Sequence, residues 1–343
     1  MKTPKDLGFV FPAEWAKHES TWLSYPHNEN SWPDKIETIF PSYNQFIAEL
    51  SKGEKVNINV LDQKMQDTVF AQLQEIGTKM ENIHFHQFRT NDAWCRDHGP
   101  AFVLKENQKA IVNWDYNAWG GKYPCELDNQ IPLQIAKHLE LEVFHPHIIM
   151  EGGSIDVNGK GSLLTTTACL LNENRNPSLS QAEIEEKLCN YYNVDNVIWL
   201  ADGIEGDDTD GHVDDITRFV KADTVITAIE KNKNDENYTP LQENLKLLKQ
   251  ARLENGKQLE IIELPMPNPV IWEEQRLPAS YANFYISNYA VIVPLYKCPQ
   301  DQEAMDILSK IFTDRKVIGI DSTDIIWGLG SFHCLSHIFV IVL

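Results

Sequence analysis

The stretch Ser154-Ile-Asp-Val-Asn-Gly-Lys-Gly-Ser-Leu-Leu-Thr-Thr166 decides how this chain is read. Asn158-Gly159 is the strongest short hairpin signal, and it joins a strand over Ser154–Val157 to a second over Ser162–Thr166. Downstream, Ser180-Gln-Ala-Glu183 has the spacing of a capping box and opens a helix running to Tyr191, before a further strand at Asn196–Leu200. The unit is therefore strand, tight turn, strand, amphipathic helix, strand.

The same unit recurs on both sides. One copy has Ala101–Leu104, a turn at Lys105-Glu-Asn-Gln, Ala110–Asp115, a helix near Asp128–Leu139 and Glu142–His147. Another has Ile216–Val220, a turn at Lys221-Ala-Asp, Thr224–Ile229, a helix near Pro240–Glu254 and Leu259–Leu264. A fourth has Ala282–Ile286, a turn at Ser287-Asn288, Ala290–Leu295, a helix near Gln300–Phe312 and Val317–Ile320. The turns recur at intervals of about 50 to 70 residues, which reads as radial or solenoid repetition rather than unrelated domains. A fifth copy is split: Thr21–Tyr25, a helix near Lys35–Ser51 and Val56–Leu61 lie at the start, and the segment after Thr323 at the end. Pairing those ends closes a ring and leaves no orphan sheet edge.

Four polar clusters fall just before or at the first strand of a unit. They are Trp94–Pro100, Glu151-Gly-Gly-Ser154, Asp210-Gly-His-Val-Asp214 and Gly330-Ser-Phe-His-Cys334. In a ring of units these positions converge at the centre. Their carboxylates, imidazole and thiol suit covalent attack by cysteine on a planar cationic carbon such as a guanidinium.

Composition bounds the partners. The chain has 343 residues, 42% of them hydrophobic, with 14 Phe, 11 Tyr and 9 Trp, ample for a large core. A formal charge of −20 argues against nucleic acid and anionic membrane as partners. It is compatible with a cationic substrate, although solubility is its main explanation. The 6 cysteines form no C-x-x-C pair. The opening Met1–Gly8 lacks an apolar h-region, and the run Ile338–Leu343 is far shorter than a membrane span. A cytoplasmic location is the expectation.

Each candidate has a plainer reading beside it. Cys334 follows Gly328 and Gly330 and is either a nucleophile or a small buried hydrophobe. Cys95, two residues from Asp97, is read as structural, and Cys125, Cys169, Cys189 and Cys298 as bystanders without polar company. His212 and Asp214 suit general acid–base work and substrate binding, or else belong to an acidic surface loop. Asp97 either grips a fork of N–H donors or pairs with Arg96; Glu151 either shares that grip or orients His212. Trp119, framed by Gly120 and Gly121, is a loop anchor or the cover of an aliphatic linker. His145-Pro-His147, Glu151 and His212-x-Asp214 are metal-ligand types without a metal-site spacing, so no metal is expected.

The clusters Trp94–Pro100, Asn117–Gly121, Glu151–Ser154, Asp207–Asp215 and His333-Cys334, with Phe11-Pro-Ala-Glu-Trp and Glu19–Pro26 near the start, resemble the agmatine deiminase family and its relatives of the bacterial peptidylarginine deiminase type. The resemblance implies an α/β five-bladed pentein propeller with pseudo-fivefold symmetry, spanning residues 1–343 as one catalytic domain. It implies no cofactor, and commonly a homo-oligomer. By position it makes Cys334 the nucleophile and His212 the acid/base, with Asp97 and Asp214 on the guanidinium and Glu151 supporting the histidine. Asp208 stands where the family has a carboxylate, usually glutamate, near the substrate's distal amine. The substrate-binding set is then Asp97, Asp214, Asp208, Trp94 and Trp119. The stretch after Cys334, Leu335-Ser-His337 and six apolar residues, departs from the polar stretch usual in the family. A small guanidino compound charged at both ends, agmatine, is the expected substrate. Arginine or peptidylarginine deimination and a non-catalytic pentein binding platform are the alternatives.

Overall fold

The computed structural model describes residues 2–341, so Met1 and the last two residues of the apolar tail, Val342 and Leu343, lie outside it. Five of the sheets formed by the described residues share one topology: a first strand antiparallel to the second, and the second parallel to the third across a helix. The strands are Ala101–Lys105, Gln108–Val112 and Glu142–Phe144; Asp156–Val157, Ser162–Thr166 and Asn196–Leu200; Thr217–Lys221, Thr224–Ile229 and Glu260–Pro265; Tyr285–Ile286, Ala290–Leu295 and Lys316–Asp321. The fifth sheet joins the chain ends. Ser336–Val340 pairs antiparallel with His18–Ser24, which pairs parallel with Lys55–Asn59. Both predicted local signals form: Asn158 Oδ1 accepts from the N–H groups of residues 160, 161 and 162, and Ser180 and Glu183 cap each other's backbone.

The strands predicted from Ser154 and Ala282 begin later. Turns of 3-10 helix at Gly152–Ser154 and Tyr281–Asn283 precede two-residue strands, and Val213–Asp215 repeats the device. Trp94–Gly99 is likewise a short helical turn around Cys95–His98, and Phe332–Leu335 a turn before the last strand. Each unit thus opens with a tight turn that points a side chain inward. The helix expected to reach Glu254 ends at Gln250, because Arg252 bridges back to Gln258.

Two features carry weak sequence signals. Helix Gln63–Glu75 buries only Val69 and Leu73 on its way to a fourth strand, Ile83–His86, on the fifth sheet. The hairpin of Val270–Trp272 and Gln275–Leu277 turns through Glu273 and Glu274, both at positive φ without glycine or asparagine. No helix of the described residues is long and apolar enough to cross a membrane.

Ile338 opposes Thr21 at the junction of the two chain ends and is 3% exposed. Ile338→Ala is expected to destabilise the fold by about 2–4 kcal/mol through the cavity it leaves, read from urea unfolding.

Candidate active site

Four of the unit-opening turns bring Asp97, Glu151, His212, Asp214 and Cys334 together. His212 Nδ1 lies 3.7 Å from Asp97 Oδ1 and 4.0 Å from Asp214 Oδ1, and its Nε2 3.9 Å from Glu151 Oε2. Cys334 Sγ lies 3.6 Å from Asp214 Oδ2. Gly153 occupies the middle: a Cβ there would stand 2.6 Å from His212 Nδ1, 2.9 Å from Asp97 Oδ1 and 3.0 Å from Asp214 Oδ2. Only a residue without a side chain lets the backbone come this close to the three groups. Both ring nitrogens of His212 and Oδ1 of Asp214 are buried without a hydrogen-bond partner. Buried polar atoms are normally paired, so Asp214 Oδ1, an acceptor, marks where an N–H donor of a planar cation fits, while the nitrogens of a charged His212 are themselves donors.

A cavity of about 280 Å³ leads from the surface to this point. Asp97 and Cys334 lie at its inner end, Trp94, Trp119, Trp272 and Trp327 on its walls, and Tyr123 and Asp208 further out. Its lining includes no lysine, arginine or histidine. Glu151, His212 and Asp214 stand behind the lining, fully buried. The Asp208 carboxylate accepts from Tyr123 Oη at 2.8 Å and pairs with Lys122 at 3.3 Å. Trp119 lines the cavity, and its Nε1–H donates to Asp97 Oδ2 at 2.9 Å. It does so from a left-handed backbone, φ 55°, an uncommon conformation for a bulky residue. The Asn117 side chain supports the loop by accepting from Gly120 N–H at 2.9 Å.

The electrostatics follow from burial and crowding. Burial, with Asp214 and Glu151 adding to it against the pull of His212, pushes Asp97 up to about 6. His212 is held well above the ordinary imidazole range: burial opposes its charge, but Asp97, Cys169 and Glu151 outweigh it. Burial and the carboxylates of Asp214, Asp215 and Asp97 push the Cys334 thiol well up. Burial raises Cys95 to about 12, in keeping with its structural reading.

Several expectations need correction. Arg96 does not pair with Asp97; its Nη1 reaches Glu14 Oε1 at 2.8 Å, behind the site. Cys169 is not without polar company, since its Sγ lies 3.9 Å from Glu151 Oε2. Neither is Cys298, whose Sγ lies 3.1 Å from Tyr281 Oη. Sequence reasoning passed over Arg175, whose Nε donates to Glu151 Oε1 at 2.6 Å. It also passed over Asn283, which reaches Cys334, and Asp207, whose Oδ2 accepts from Gly211 and His212 N–H groups at 3.0 and 3.1 Å. The signal for Asn283 was the unit count itself: the fourth unit's opening turn had no inward residue assigned.

Two buried trios bring metal-ligand atoms within 4.8 Å of one another: Glu151, Cys169 and His212, and Asp214, Asp215 and Cys334. In the first, Arg175 already engages Glu151; in the second, His333 Nδ1 engages Asp214 at 2.6 Å and Asn283 engages the sulfur. His145 and His147 join neither trio.

A thiol, a charged imidazole and buried carboxylates at the end of an acidic, aromatic cavity define a site for nucleophilic chemistry on a cationic group. Residues 10–338 match the model of the Porphyromonas-type peptidyl-arginine deiminase family, and the chain belongs to that family. It is 34% identical over 364 residues to the agmatine deiminase of Ectopseudomonas mendocina, covering 98% of this chain and 96% of the relative. Its fold superposes on the agmatine deiminase of Enterococcus faecalis with a TM-score of 0.94 at 30% identity, covering 100% of this chain and 99% of the other. For a cysteine-to-serine variant of the C. jejuni agmatine deiminase with substrate bound, the TM-score is 0.89 at 36% identity, covering 97% and 96%.

Arg175 holds Glu151 ionised. Burial pushes this carboxyl up, but His212 and Arg175 outweigh it and leave it below its ordinary value. The stability this supplies is present above the unfolded carboxylate range and lost as pH falls through the folded value. Arg175→Met is therefore expected to lower stability by about 3–5 kcal/mol at neutral pH. The deficit should shrink as the pH is lowered and Glu151 protonates, measured by urea unfolding of both proteins across pH.

Proposed function

We propose that this protein is an agmatine deiminase, converting agmatine and water to N-carbamoylputrescine and ammonia. The observation that carries the reading is the cavity: Cys334 and Asp97 at its inner end, Asp208 further out, and no basic side chain in its lining. Such a cavity suits a substrate with positive charge at both ends; the cation nearest its outer acid, Lys122, is paired with Asp208 and Asp210 and is not free for the carboxylate of free arginine. Its aromatic walls suit an aliphatic linker. The named relatives act in the same sense.

Asp97 and Asp214 hold the guanidinium beside Cys334, protonated and with its central carbon facing the sulfur. The bound cation offsets the carboxylates that keep the thiol protonated, so with substrate in place the thiol gives its proton to solvent and the thiolate forms. Sulfur attacks the central carbon, the C–S bond forms, and the charged His212 gives its proton to the departing ammonia. The neutral imidazole then takes a proton from water, which attacks the same carbon. As the C–S bond breaks, the hydroxyl proton of the adduct passes to the sulfur, so the carbonyl of the ureido product forms, the product leaves and the thiol is restored. Glu151, held by Arg175, keeps His212 charged and oriented. Asp208 receives the distal ammonium, and Trp94 and Trp119 flank the chain between.

We further infer that the five sheets are blades of a pentein propeller with pseudo-fivefold symmetry, and that residues 1–343 form one catalytic domain. One strand order in five sheets supports this, as do the pairing of the chain ends and an inward-turned side chain at each unit's opening.

Ammonia release from agmatine, free arginine and a peptidylarginine tests the assignment. Turnover of agmatine is expected to exceed the others by at least about a hundredfold and to vanish in Cys334→Ala. Activity on the peptide without activity on agmatine would transfer the assignment to peptidylarginine deimination. Because Asp97 must be ionised to hold the cation and is raised to about 6 in the free protein, kcat/KM for agmatine should fall as pH drops below about 6. An acid limb with a midpoint near the ordinary aspartate value of about 4 contradicts that role.

A further inference from the structure

We propose that Asn283 is a catalytic residue: its side-chain amide fixes the turn bearing Cys334 and donates a hydrogen bond to the sulfur. The inference rests on the reading of Cys334 as nucleophile. Asn283 ends the turn Tyr281–Asn283, the fourth unit's counterpart of the turns that present Asp97 and Asp214, and is 1% exposed. Its Oδ1 accepts from the backbone N–H groups of Ser331, His333 and Cys334 at 3.1, 3.2 and 3.3 Å.

The oxygen and nitrogen of an amide are commonly hard to tell apart, but here the partners decide. Three N–H donors converge on one atom, so that atom is the carbonyl oxygen; a reversed amide would aim N–H groups at N–H groups. With the oxygen fixed, Nδ2 has one hydrogen for Asp215 Oδ1 at 2.9 Å and one for Cys334 Sγ at 3.0 Å. Among the described residues no other side-chain N–H lies within hydrogen-bond distance of this sulfur.

The chemical consequence is directional. Asp97, Asp214 and Asp215 all favour the protonated thiol, while an N–H donor favours the thiolate. Asn283 thus supplies the resident opposition to that carboxylate crowd. The same side chain ties the sulfur's position to the backbone that leads into it.

Asn283→Asp keeps an oxygen for the three backbone N–H groups and removes the donor to sulfur. Iodoacetamide reports the thiolate: sulfur attacks the methylene carbon, a C–S bond forms and iodide leaves, the thiol proton having gone to buffer. Alkylation of the Cys334 peptide, followed by mass spectrometry across pH, is expected to titrate about one pH unit or more higher in the variant, so its rate on the acid side falls about tenfold. An unshifted profile in a variant with native near-ultraviolet circular dichroism overturns the proposal. Should the variant not fold, wild-type protein labelled with ¹⁵N-asparagine decides. One side-chain amide is expected to shift as Cys334 titrates and to be silent in Cys334→Ala, and the absence of any such resonance overturns the proposal. Neither measurement uses a guanidino substrate, so failure to turn over agmatine is a separate outcome.

Discussion

The carboxylate of Glu14, carried on the segment before the first strand and 7% exposed, is the charge around which the site is assembled. It pairs with Arg96 Nη1 and His333 Nε2, each at 2.8 Å, and with Arg218. Arg96 lies in the turn that presents Asp97, Arg218 in the strand after Asp214, and His333 beside Cys334. One buried acid thereby ties together the turns that carry a gripping carboxylate and the thiol. Burial pushes its pKa up, and Arg218 and Arg96 more than reverse this, holding it well below the usual carboxylate range. Removing one member of such a buried set typically costs about 3–5 kcal/mol, because the remaining charges lose their compensation.

From that anchor the geometry passes forward. His333 Nδ1 faces Asp214 Oδ2 at 2.6 Å, which leaves Asp214 Oδ1 free to look toward His212 and the central space. Arg218 also donates to the carbonyls of Ala282 and Phe284, around Asn283, at 3.2 and 3.0 Å. The acidic centre is thus built against its own repulsion by cations placed behind it. None of Arg96, Arg175 and Arg218 lines the cavity, so the centre stays acidic toward a ligand while remaining compensated toward the core.

Much of this was legible in the sequence where the signal is local. Asn158-Gly159 and the Ser180–Glu183 box are short-range rules, and the repeated unit followed from them. The fifth sheet was legible too, because a split unit leaves complementary halves at the two chain ends. Asp97, Glu151, His212, Asp214 and Cys334 stood out as reactive types beside glycine. Arg175, in the loop Asn172-Glu-Asn-Arg-Asn-Pro177, had no periodic or glycine-framed context, and its pairing with Glu151 is purely tertiary. Asn283, in Tyr281-Ala-Asn-Phe284, is uncharged and flanked by apolar residues, so only its place in the repeat marked it. Arg96 misled because adjacency suggested a pair that a helical turn forbids: successive side chains in Cys95–His98 point in different directions.

The formal charge of −20 and the acidity of the cavity are different phenomena. Surface charges are screened over about 8–10 Å at ordinary ionic strength, so they can steer a cation but discriminate little among cations. Asp97, Glu151 and Asp214 are nearly or fully shielded from solvent; Arg175 pairs with Glu151, and His212 stands between Asp97 and Asp214. On the proposed reading the guanidinium donates to Asp214 Oδ1, to which no group of the described residues hydrogen-bonds. On that same proposed reading, selectivity for a planar cation arises in a few buried atoms, and the outer acid at Asp208 adds a preference for a second charge at the far end.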